Sequence, residues 1–576
     1  MHDLIIKNGT VVDGSGQPAQ KDDVAIKDGR IAAVGHNLGD AKKEIDADGL
    51  LVAPGWVDIH THYDGQVTWD PYLTPSSWHG ATTVVMGNCG VGFAPAAPDR
   101  HEWLIGLMEG VEDIPGTALA EGIQWEWESF SEYMDALDRK PLAIDVAAQV
   151  PHGAVRAYVM GDRGAKNEKA TPEDIEKMAD VVRNGMAAGA LGFSTSRTVL
   201  HRAVDGEVVP GTTAENDEML GIARVLGEFP HGVFEMASDL NPEENEFDIM
   251  AQMSRESGMP VSFACLQSPL DPDNWRRYLQ RMDDANANGA QVTAQIAVRG
   301  NGLLLSLDGT VHPFSSHPTY QSIAHLPFAE RLEKMRDPEI RAKILSEQPS
   351  TDMELAAIVM AGFDRMFPLG QTPNYEPSPE DSLQALADAK GVTPQEIAYD
   401  ILLEDDGRGF IYLPLLNYAN FNLDHVREMM DHPYTRLSLS DGGAHCGVIC
   451  DASYTTFMLT HWARDRSRGD KISVERAIQM QTRETAEAYG LHDRGLIAPG
   501  MKADINIIDF ENLKIERPRL VYDLPANGRR LVQGAQGYVA TIVNGDIIFE
   551  NGKATGALPG KLIRGAQAAP QALAAE

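Results

Sequence analysis

The stretch that decides the fold of this chain is Leu51-Val52-Ala53-Pro54-Gly55-Trp56-Val57-Asp58-Ile59-His60-Thr61-His62-Tyr63-Asp64. Val57 to Ile59 predict a short buried strand, and His60 and His62 follow it. Side chains two positions apart on a strand point to the same face. The spacing therefore places two imidazole nitrogens within reach of one metal ion. The alternative is a pair of turn histidines, which the Pro54-Gly55 entry and the apolar strand make less favourable.

Length and charge set the class of protein. The chain has 576 residues, and 43% of them are hydrophobic, which is ordinary for a globular protein with a large core. Acidic residues number 84 and basic residues 49, so the formal net charge is -35. This balance argues against nucleic acid or an anionic membrane as a partner, and no window is long and apolar enough for a membrane span. A small-molecule substrate is the expected partner.

Cysteine use predicts a reducing compartment. The four cysteines, Cys89, Cys265, Cys446 and Cys450, are too few for a disulfide framework in so long a chain. The stretch from Met1 to Lys7 lacks a basic region followed by an apolar one, so no signal peptide is expected. We therefore expect a cytoplasmic protein. A homo-oligomer is possible.

The two ends of the chain share one pattern. Residues 1–53 alternate short apolar runs with Asp-Gly turns, and residues 500–556 do the same with the hairpin signals Asn544-Gly545 and Asn551-Gly552. The flanks therefore predict one small β domain built from both termini.

The middle of the chain alternates strands and helices. Thr171 followed by Pro172 predicts a helix start, Gly189 a helix stop, and Leu191 to Ser194 the next strand. Repeated units of this kind predict an α/β protein with a parallel sheet. A (β/α)8 TIM-type barrel over residues 54–499 is the economical closure, and its chemistry would lie at the carboxyl ends of the strands.

Two segments depart from this alternation. Residues 301–405 are rich in Pro, Ser, Asp and Glu, and we interpret them as an insertion within the barrel. It is either a lid beside the active site or a surface elaboration without catalytic effect. Residues 557–576 are rich in Ala, Pro and Gln and predict a poorly ordered tail.

The run from Pro54 to His62 resembles the first-strand signature of the metal-dependent amidohydrolase superfamily. Four further segments are similar to its D-aminoacylase (N-acyl-D-amino-acid deacylase) branch: Gly87-Asn88-Cys89-Gly90, Val150 to Arg156, Gly189 to Thr195, and Ser440-Asp441-Gly442. The resemblance extends from about residue 3 to about residue 556. It implies a (β/α)8 barrel with a composite β-sandwich, and hydrolysis of an amide.

The resemblance also implies roles for Asp441 and Cys89. Asp441, after the apparent eighth strand, would bind metal and move the proton of the attacking water, both of which suit a carboxylate. Cys89 would be a zinc ligand. The alternatives are a simple Asp-Gly turn and a small buried hydrophobic side chain.

The chain departs from the family at two strands. Relatives place histidines at the ends of the fifth and sixth strands, but Val233 to Asp239 and Val261 to Gln267 contain none. Three alternatives remain open: a mononuclear site on His60, His62 and Asp441 with or without Cys89, substitution by Glu235, Asp239 or Cys265, or loss of the hydrolytic centre. One or two zinc ions are expected, and one is favoured.

Substrate contacts are predicted at four positions: His152, Arg197, Arg299 and His445. A carboxylate on the substrate would need a cation such as Arg197 or Arg299, whereas His152 could equally be a turn histidine bonded to backbone. His201 is a spare ligand candidate. Gln267 stands where the D-aminoacylase branch carries a lysine, which weakens the D-amino-acid assignment.

Together these observations predict a metal-dependent hydrolase that cleaves a C–N amide bond, most simply by deacylation of an N-acyl amino acid. Hydrolysis of a cyclic amide, imide or lactone by the same centre is the first alternative. A non-catalytic barrel that binds a small ligand through a degenerate metal site is the second.

Overall fold

Both ends of the chain contribute to one nine-stranded sheet. The computed structural model describes residues 1–240, 245–348, 359 and 362–570. Val52 is paired with Val11 on one side and with Ile507 on the other, which joins the two ends directly. In spatial order the strands are Lys553–Ala554, Asp546–Glu550, Tyr538–Val543, Ile505–Ile508, Leu51–Pro54, His2–Val11, Gln20–Lys27 and Arg30–Gly35, with Ala41–Asp46 beside His2–Val11.

Eight parallel strands follow along the middle of the chain. Consecutive strands pair in two runs, from the first to the third and from the fourth to the eighth, and Val150–Pro151 follows the third strand and pairs with the fourth. Beyond the strand ends, Thr61 forms a parallel bridge with Gly442. The first to eighth parallel strands are Trp56–Asp58, Ala81–Met86, Asp145–Ala148, Gly192–Arg197, Val233–Ser238, Val261–Ala264, Val292–Ile296 and Thr435–Leu437.

Helices alternate with these strands. The predicted helix after Thr171 is confirmed: Thr171 caps it through the backbone N–H of Asp174, and the helix is Pro172–Ala187. The other helices that flank the parallel strands are His101–Glu112, Gly116–Gly122, Phe130–Asp138, His152–Met160, Asp162–Ala165, Asn216–Leu226, Glu246–Ser257, Asn274–Ala287, Asp424–Met430, Tyr454–Phe457, Val474–Gln481 and Arg483–Ala488. Short 3-10 turns lie at Gln66–Thr68, Ser76–His79 and Pro525–Asn527, and a π-helical stretch at Met458–Asp465.

Gly55 allows the nine-stranded sheet to run directly into the first parallel strand. A Cβ at Gly55 would lie 2.2 Å from Thr82 Oγ1 on the second strand, so only glycine permits this approach. Trp56 follows, fully buried, and its indole N–H donates to Tyr538 OH at 3.2 Å. The entry of the strand that carries His60 and His62 is therefore fixed by both parts of the fold.

The described residues of the segment 301–416 leave the alternation, and many of them pack in a separate apolar cluster. Asn301–Leu305 and Phe367–Leu369 pair antiparallel with Phe410–Leu416, so this unit closes eleven residues beyond the predicted end at 405. Its helices are Pro318–Ile323, Phe328–Arg336, Pro338–Ser346, Leu383–Lys390 and Pro394–Gly407, with a 3-10 turn at Pro379–Asp381. Residues 349–358, 360 and 361 of the predicted insertion lie outside the described residues.

The prediction of a poorly ordered tail is wrong for residues 557–570. Gly560 and Leu562 form β-bridges with Leu142 and Val146, and Gln567 forms one with Leu491. Ile563 is buried at 4% exposure, because the segment packs beneath the parallel strands. The Ala- and Pro-rich composition of the segment gives no sign of these backbone contacts. Residues 571–576 of the predicted tail lie outside the described residues.

Four short strands complete the described secondary structure, as the pairs Lys514–Ile515 with Ala535–Gln536 and Arg519–Leu524 with Gly528–Val532. Across the described ranges, no helix combines the length and apolar character needed to cross a membrane.

His312, in the 301–416 unit, predicts a loss of stability in acid. Burial lowers the pKa of His312 to about 3, helped by Arg331 and His317. In the unfolded chain the His312 imidazole has an ordinary pKa near 6.5 and takes up its proton first. The free energy of unfolding that neutral His312 contributes above pH 6.5 is therefore lost as the pH falls toward 3. The loss from this residue is about 2 kcal/mol at pH 5. His312→Gln should therefore reduce the difference between the urea midpoints at pH 7 and pH 5.

The matched control is His36→Gln, because the His36 side chain is 70% exposed. An unchanged pH difference in His312→Gln would contradict the assignment.

Candidate metal centre

His60 and His62 lie just beyond the carboxyl end of the first parallel strand, as predicted from their spacing. The backbone N–H of His62 donates to the Gly442 carbonyl at 2.8 Å, so the segment is held against the end of the eighth strand. Both side chains are at most 2% exposed, and their ring centroids are 5.4 Å apart. The two rings therefore have a fixed backbone and an enclosed setting.

Gln295 on the seventh strand sets the orientation of His60. His60 Nδ1 lies 2.7 Å from Gln295 Oε1, and Ser438 Oγ donates to the same amide oxygen at 2.8 Å. Nδ1 of His60 is then the protonated nitrogen, and Nε2 keeps a free lone pair. Sequence analysis missed Gln295, since a glutamine in a buried strand carries no spacing signal of its own.

Cys89 meets His60 from the turn after the second strand. Its sulfur lies 3.3 Å from His60 Nε2, and its backbone has a left-handed φ of 54°. The ligand atoms of His60, His62 and Cys89 all lie within 4.8 Å of one another. Among the described residues, these form the one such group of three or more His, Cys, Asp or Glu side chains.

Asp441 approaches the same imidazoles from the end of the eighth strand. Its Oδ1 lies 3.5 Å from His60 Nε2 and 3.7 Å from His62 Nε2, so one oxygen faces both rings. The Asp441 side chain is 18% exposed, whereas both histidines are buried. Asp441 therefore stands between the buried donors and the solvent.

Burial sets the charge states of these donors. It lowers the pKa of His60 to about 4 and that of His62 to about 3, so both rings are neutral near pH 7, as metal ligands must be. Burial also raises the pKa of the Cys89 thiol well above its usual range, with Glu235, Glu112 and Asp441 adding to the rise. A cation would reverse the shift at sulfur.

Glu235 lies beneath Cys89, on the fifth strand. One carboxylate oxygen accepts the Cys89 backbone N–H at 2.9 Å, and the other has no hydrogen-bond partner among the described residues. Burial, with a smaller contribution from the Asp441 charge, raises the pKa of Glu235 to about 8. Of the three predicted substitutes for the missing histidines, Glu235 is the one that contacts the cluster.

The other two predicted substitutes lie elsewhere. Asp239 accepts from the Thr198 hydroxyl and from the Val199 backbone N–H, and so holds the loop after the fourth strand. Cys265 is fully buried, and burial raises the pKa of its thiol to about 12. Neither belongs to the group of converging ligand atoms.

Glu112 is a site residue that sequence analysis missed. It is the last residue of the helix His101–Glu112, is 1% exposed, and places Oε1 3.2 Å from His62 Nδ1. Its Oε2 lies 3.7 Å from His445 Nε2, and burial raises its pKa well above the usual range. Its position in the sequence could have identified it. Glu112 follows Leu104 and Met108 at intervals of four residues, which places a carboxylate on the apolar face of the helix.

Two loop histidines face the same centre. The His445 backbone N–H donates to the Glu112 carbonyl, and His201 Nδ1 lies 3.0 Å from Ser196 Oγ. Burial lowers the pKa of each ring to about 4, and both respond to the charges of Asp441 and His62. The structure therefore brings His201, the spare candidate, and His445 to the mouth of the site.

Three other predicted substrate contacts are engaged within the protein. His152 has Nδ1 2.8 Å from Thr195 Oγ1 and Nε2 2.8 Å from Glu218 Oε1, so neither ring nitrogen is left for a substrate. Arg197 is paired with Glu246 at 2.9 Å. Arg299 is completely buried and paired with Asp451 at 3.0 Å. All three side chains are thus engaged by tertiary partners that lie far away in the sequence, and their contact with a substrate stays a prediction.

Comparison with known proteins supplies the family. The model of the amidohydrolase family matches residues 43–549. D-aminoacylase of Alcaligenes xylosoxydans xylosoxydans is 27% identical to this chain, over 97% of each chain. The crystal structure of a D-aminoacylase has a TM-score of 0.65 at 24% identity, covering 98% of this chain and 100% of that one.

A second solved structure is the N-acyl-D-glutamate deacylase from Bordetella bronchiseptica, complexed with zinc and a phosphonate inhibitor. It has a TM-score of 0.62 at 24% identity, covering 98% of this chain and 99% of that one. The chain thus belongs to the amidohydrolase superfamily, in its D-aminoacylase branch, and is a hydrolase of carbon–nitrogen bonds other than peptide bonds.

Proposed function

We propose that this protein hydrolyses an acyclic N-acyl amide with one zinc ion held by His60, His62, Cys89 and Asp441. The observation that carries this proposal is the convergence of three ligand atoms within 4.8 Å, with Asp441 Oδ1 3.5 and 3.7 Å from the two imidazoles. Zinc in proteins is mostly four-coordinate, and two imidazoles, one thiolate and one carboxylate would supply four donors of the kinds that it binds.

We also infer that the eight parallel strands close into a (β/α)8 barrel with the site at its carboxyl end. Backbone hydrogen bonds support this closure: Gln149 N–H donates to Met86 O and Leu191 N–H to Ala148 O, both at 2.9 Å. The Thr61–Gly442 bridge joins the first and eighth strand ends. Residues 1–53 and 500–556 form the proposed second domain, and the lid role of the insertion stays a prediction.

The donor set fits a metal on chemical grounds. His62 Nδ1 and one oxygen each of Glu112 and Glu235 are buried without a hydrogen bond among the described residues. Unpartnered buried polar atoms are costly, and a nearby cation would stabilise the carboxylates in their ionised form. When bound, zinc would lower the pKa of a water molecule and polarise the scissile carbonyl.

Asp441 is the group placed to move protons. It is the most exposed member of the cluster and faces both imidazole Nε2 atoms, so it can accept the proton of the attacking water. The same carboxyl group then returns the proton to the leaving nitrogen. His201 and His445, both neutral near pH 7, can donate a hydrogen bond to the carbonyl oxygen as negative charge develops there.

Names of relatives support an acyl amide as substrate. D-aminoacylase and N-acyl-D-glutamate deacylase match nearly the whole chain at 25–27% identity. N-acyl amino acids and their derivatives are therefore the first class to assay. The cyclic-substrate alternative predicts ring opening without release of an amine, so an amine assay separates the two. Family membership disfavours the non-catalytic alternative, while a cytoplasmic location and self-association stay predictions.

Glu112 is proposed to position His62. Metal-bound histidines commonly turn their second nitrogen toward a carboxylate, which fixes the ring and strengthens it as a donor. Glu112 Oε1 lies 3.2 Å from His62 Nδ1, within reach of this arrangement, although the two atoms are not aligned as a hydrogen bond.

Zinc analysis tests the donor set. The purified chain should hold about one zinc ion, and the double variant His60→Ala/His62→Ala should lose most of it, because two of the four donors are removed. Elemental analysis of the purified proteins measures this, with His36→Ala as the exposed control. Zinc content that is absent, or unaffected by the double variant, would favour the non-catalytic alternative.

Glu112→Gln tests the positioning role. The amide keeps the size of the side chain but removes its charge, so zinc affinity should fall about 10- to 100-fold. Competition with a chelator measures the affinity. Glu109→Gln, on the exposed side of the same helix, should leave it unchanged. Equal affinities in Glu112→Gln and the unaltered chain would refute the role.

Asp441→Asn tests the proton transfer. Three donors remain, so most zinc should be retained, whereas kcat should fall by about 10²–10⁴-fold because an amide cannot accept the proton. Acetate release from N-acetyl substrates measures the rate, and Asp431→Asn, with a side chain 66% exposed, is the control. Undiminished kcat in a zinc-replete Asp441→Asn protein would overturn the assignment.

A further inference from the structure

The arginines at the ends of the parallel strands carry no charge that is free for a substrate. Arg197, the last residue of the fourth strand, is held by Glu246 and by the Ala214 carbonyl. Arg299, beyond the seventh strand, is paired with Asp451 and stacks 3.6 Å above the Tyr375 ring. Its Nε and Nη1 have no hydrogen-bond partner among the described residues, but its side chain is 1% exposed, so these donors are enclosed and not open to a substrate. These were the two cations predicted to hold a substrate carboxylate.

Three further arginines lie near the strand ends, and each is directed elsewhere. Arg156 is paired with the buried Glu218. Arg530 lines a small cavity beside Asp441, but its donors go to Asp523 and to Thr74. Arg202 is exposed and donates to the Gly206 carbonyl of its own hairpin.

Gln267, just beyond the sixth strand, offers no charge to a substrate. It is fully buried, and its side chain donates to the Pro272 carbonyl and accepts the Ala419 backbone N–H at 2.9 Å. The residue is part of the scaffold of the loop after the sixth strand.

The groups that face the metal centre are neutral or acidic. Among the described residues, the groups paired with the imidazoles of this site within 4 Å are carboxylates: Asp441 lies 3.5 Å from His60 and 3.7 Å from His62, and Glu112 lies 3.2 Å from His62 and 3.7 Å from His445. The residues that the structure leaves undescribed include no Lys or Arg. No cation beside these groups is therefore hidden in the undescribed segments.

A bound zinc ion would not supply a surplus of positive charge. Its two charges are balanced by a Cys89 thiolate and the Asp441 carboxylate, and Glu112 and Glu235 lie close behind. A chain with a net charge of -35 adds no long-range attraction for an anion. A substrate carboxylate at this mouth would meet like charge and lose hydration without gaining a partner.

We propose that the amine half of the substrate bears no free carboxylate, so that the enzyme deacylates N-acyl amines or N-acyl amino acids whose carboxyl group is blocked. This inference rests on the proposed amide hydrolysis and narrows its substrate class. The neutral imidazoles of His201 and His445 are the polar groups available to such a substrate. Specificity then follows from rejection of the anion as much as from attraction of the amide.

Matched substrate pairs test the inference on the zinc-replete full chain. Each pair is an N-acetyl amino acid and its primary carboxamide, in both enantiomers, with alanine, leucine, phenylalanine and glutamine side chains. Acetate is the shared product, so its release compares the two directly. We expect kcat/KM for the preferred carboxamide to exceed that of its acid at least about tenfold.

Salt and one variant give independent readouts. Raising the ionic strength from about 20 to about 300 mM should increase kcat/KM for the acid, by screening repulsion, and leave the carboxamide unchanged. His201→Arg places a cation at the mouth and should raise the acid-to-amide ratio at least about fivefold over His201→Gln. A ratio between two substrates is insensitive to any general loss of activity in the variants.

The outcomes separate this inference from the proposed function. Hydrolysis with equal or greater kcat/KM for the acids would overturn the inference and leave amide hydrolysis standing. No acetate from any member of the panel, with zinc bound, would overturn both.

Discussion

The balance of charge at the buried candidate metal centre is the constraint on which the rest of this structure depends. Two imidazoles, a thiol and two glutamates are enclosed there with few hydrogen bonds among the described residues, and burial alone would keep the acids protonated. Such a set is costly to a fold unless something positive binds within it. A bound divalent cation would ionise the Cys89 thiol and offset the carboxylates, so metal binding and local stability are expected to be linked.

Rigid elements hold these groups in place from several directions. The Pro54-Gly55 entry fixes the first strand against the second, and the Thr61–Gly442 bridge ties it to the eighth. The helix His101–Glu112 contributes its last residue behind His62, and the loop after Asp441 returns to it through His445. The 301–416 unit contacts this loop, since Leu304 N–H donates to the Val448 carbonyl at 2.6 Å. A change in that unit can therefore reach the mouth through the backbone.

Sequence patterns predicted those elements that are determined by residues close together in the chain. The helix after Thr171 was predictable because its cap and its proline act within a few residues. The His60–His62 pair was predictable because strand geometry fixes which side chains share a face. The tail was misjudged because its order comes from pairing with Leu142, Val146 and Leu491, far away in the chain.

The arginines and acids at the site show most clearly the difference between what the sequence predicts and what the tertiary structure decides. By itself, the sequence determined the alternation of strands and helices, the two histidines, and Asp441 and Cys89 through their family motifs. Only the tertiary structure decided that Glu112 and Gln295 face those histidines, and that Glu246 and Asp451 neutralise the arginines predicted to hold substrate. The physical reason is range: propensity and spacing act over a few residues, whereas the charge at a site is a sum over side chains that only folding brings together.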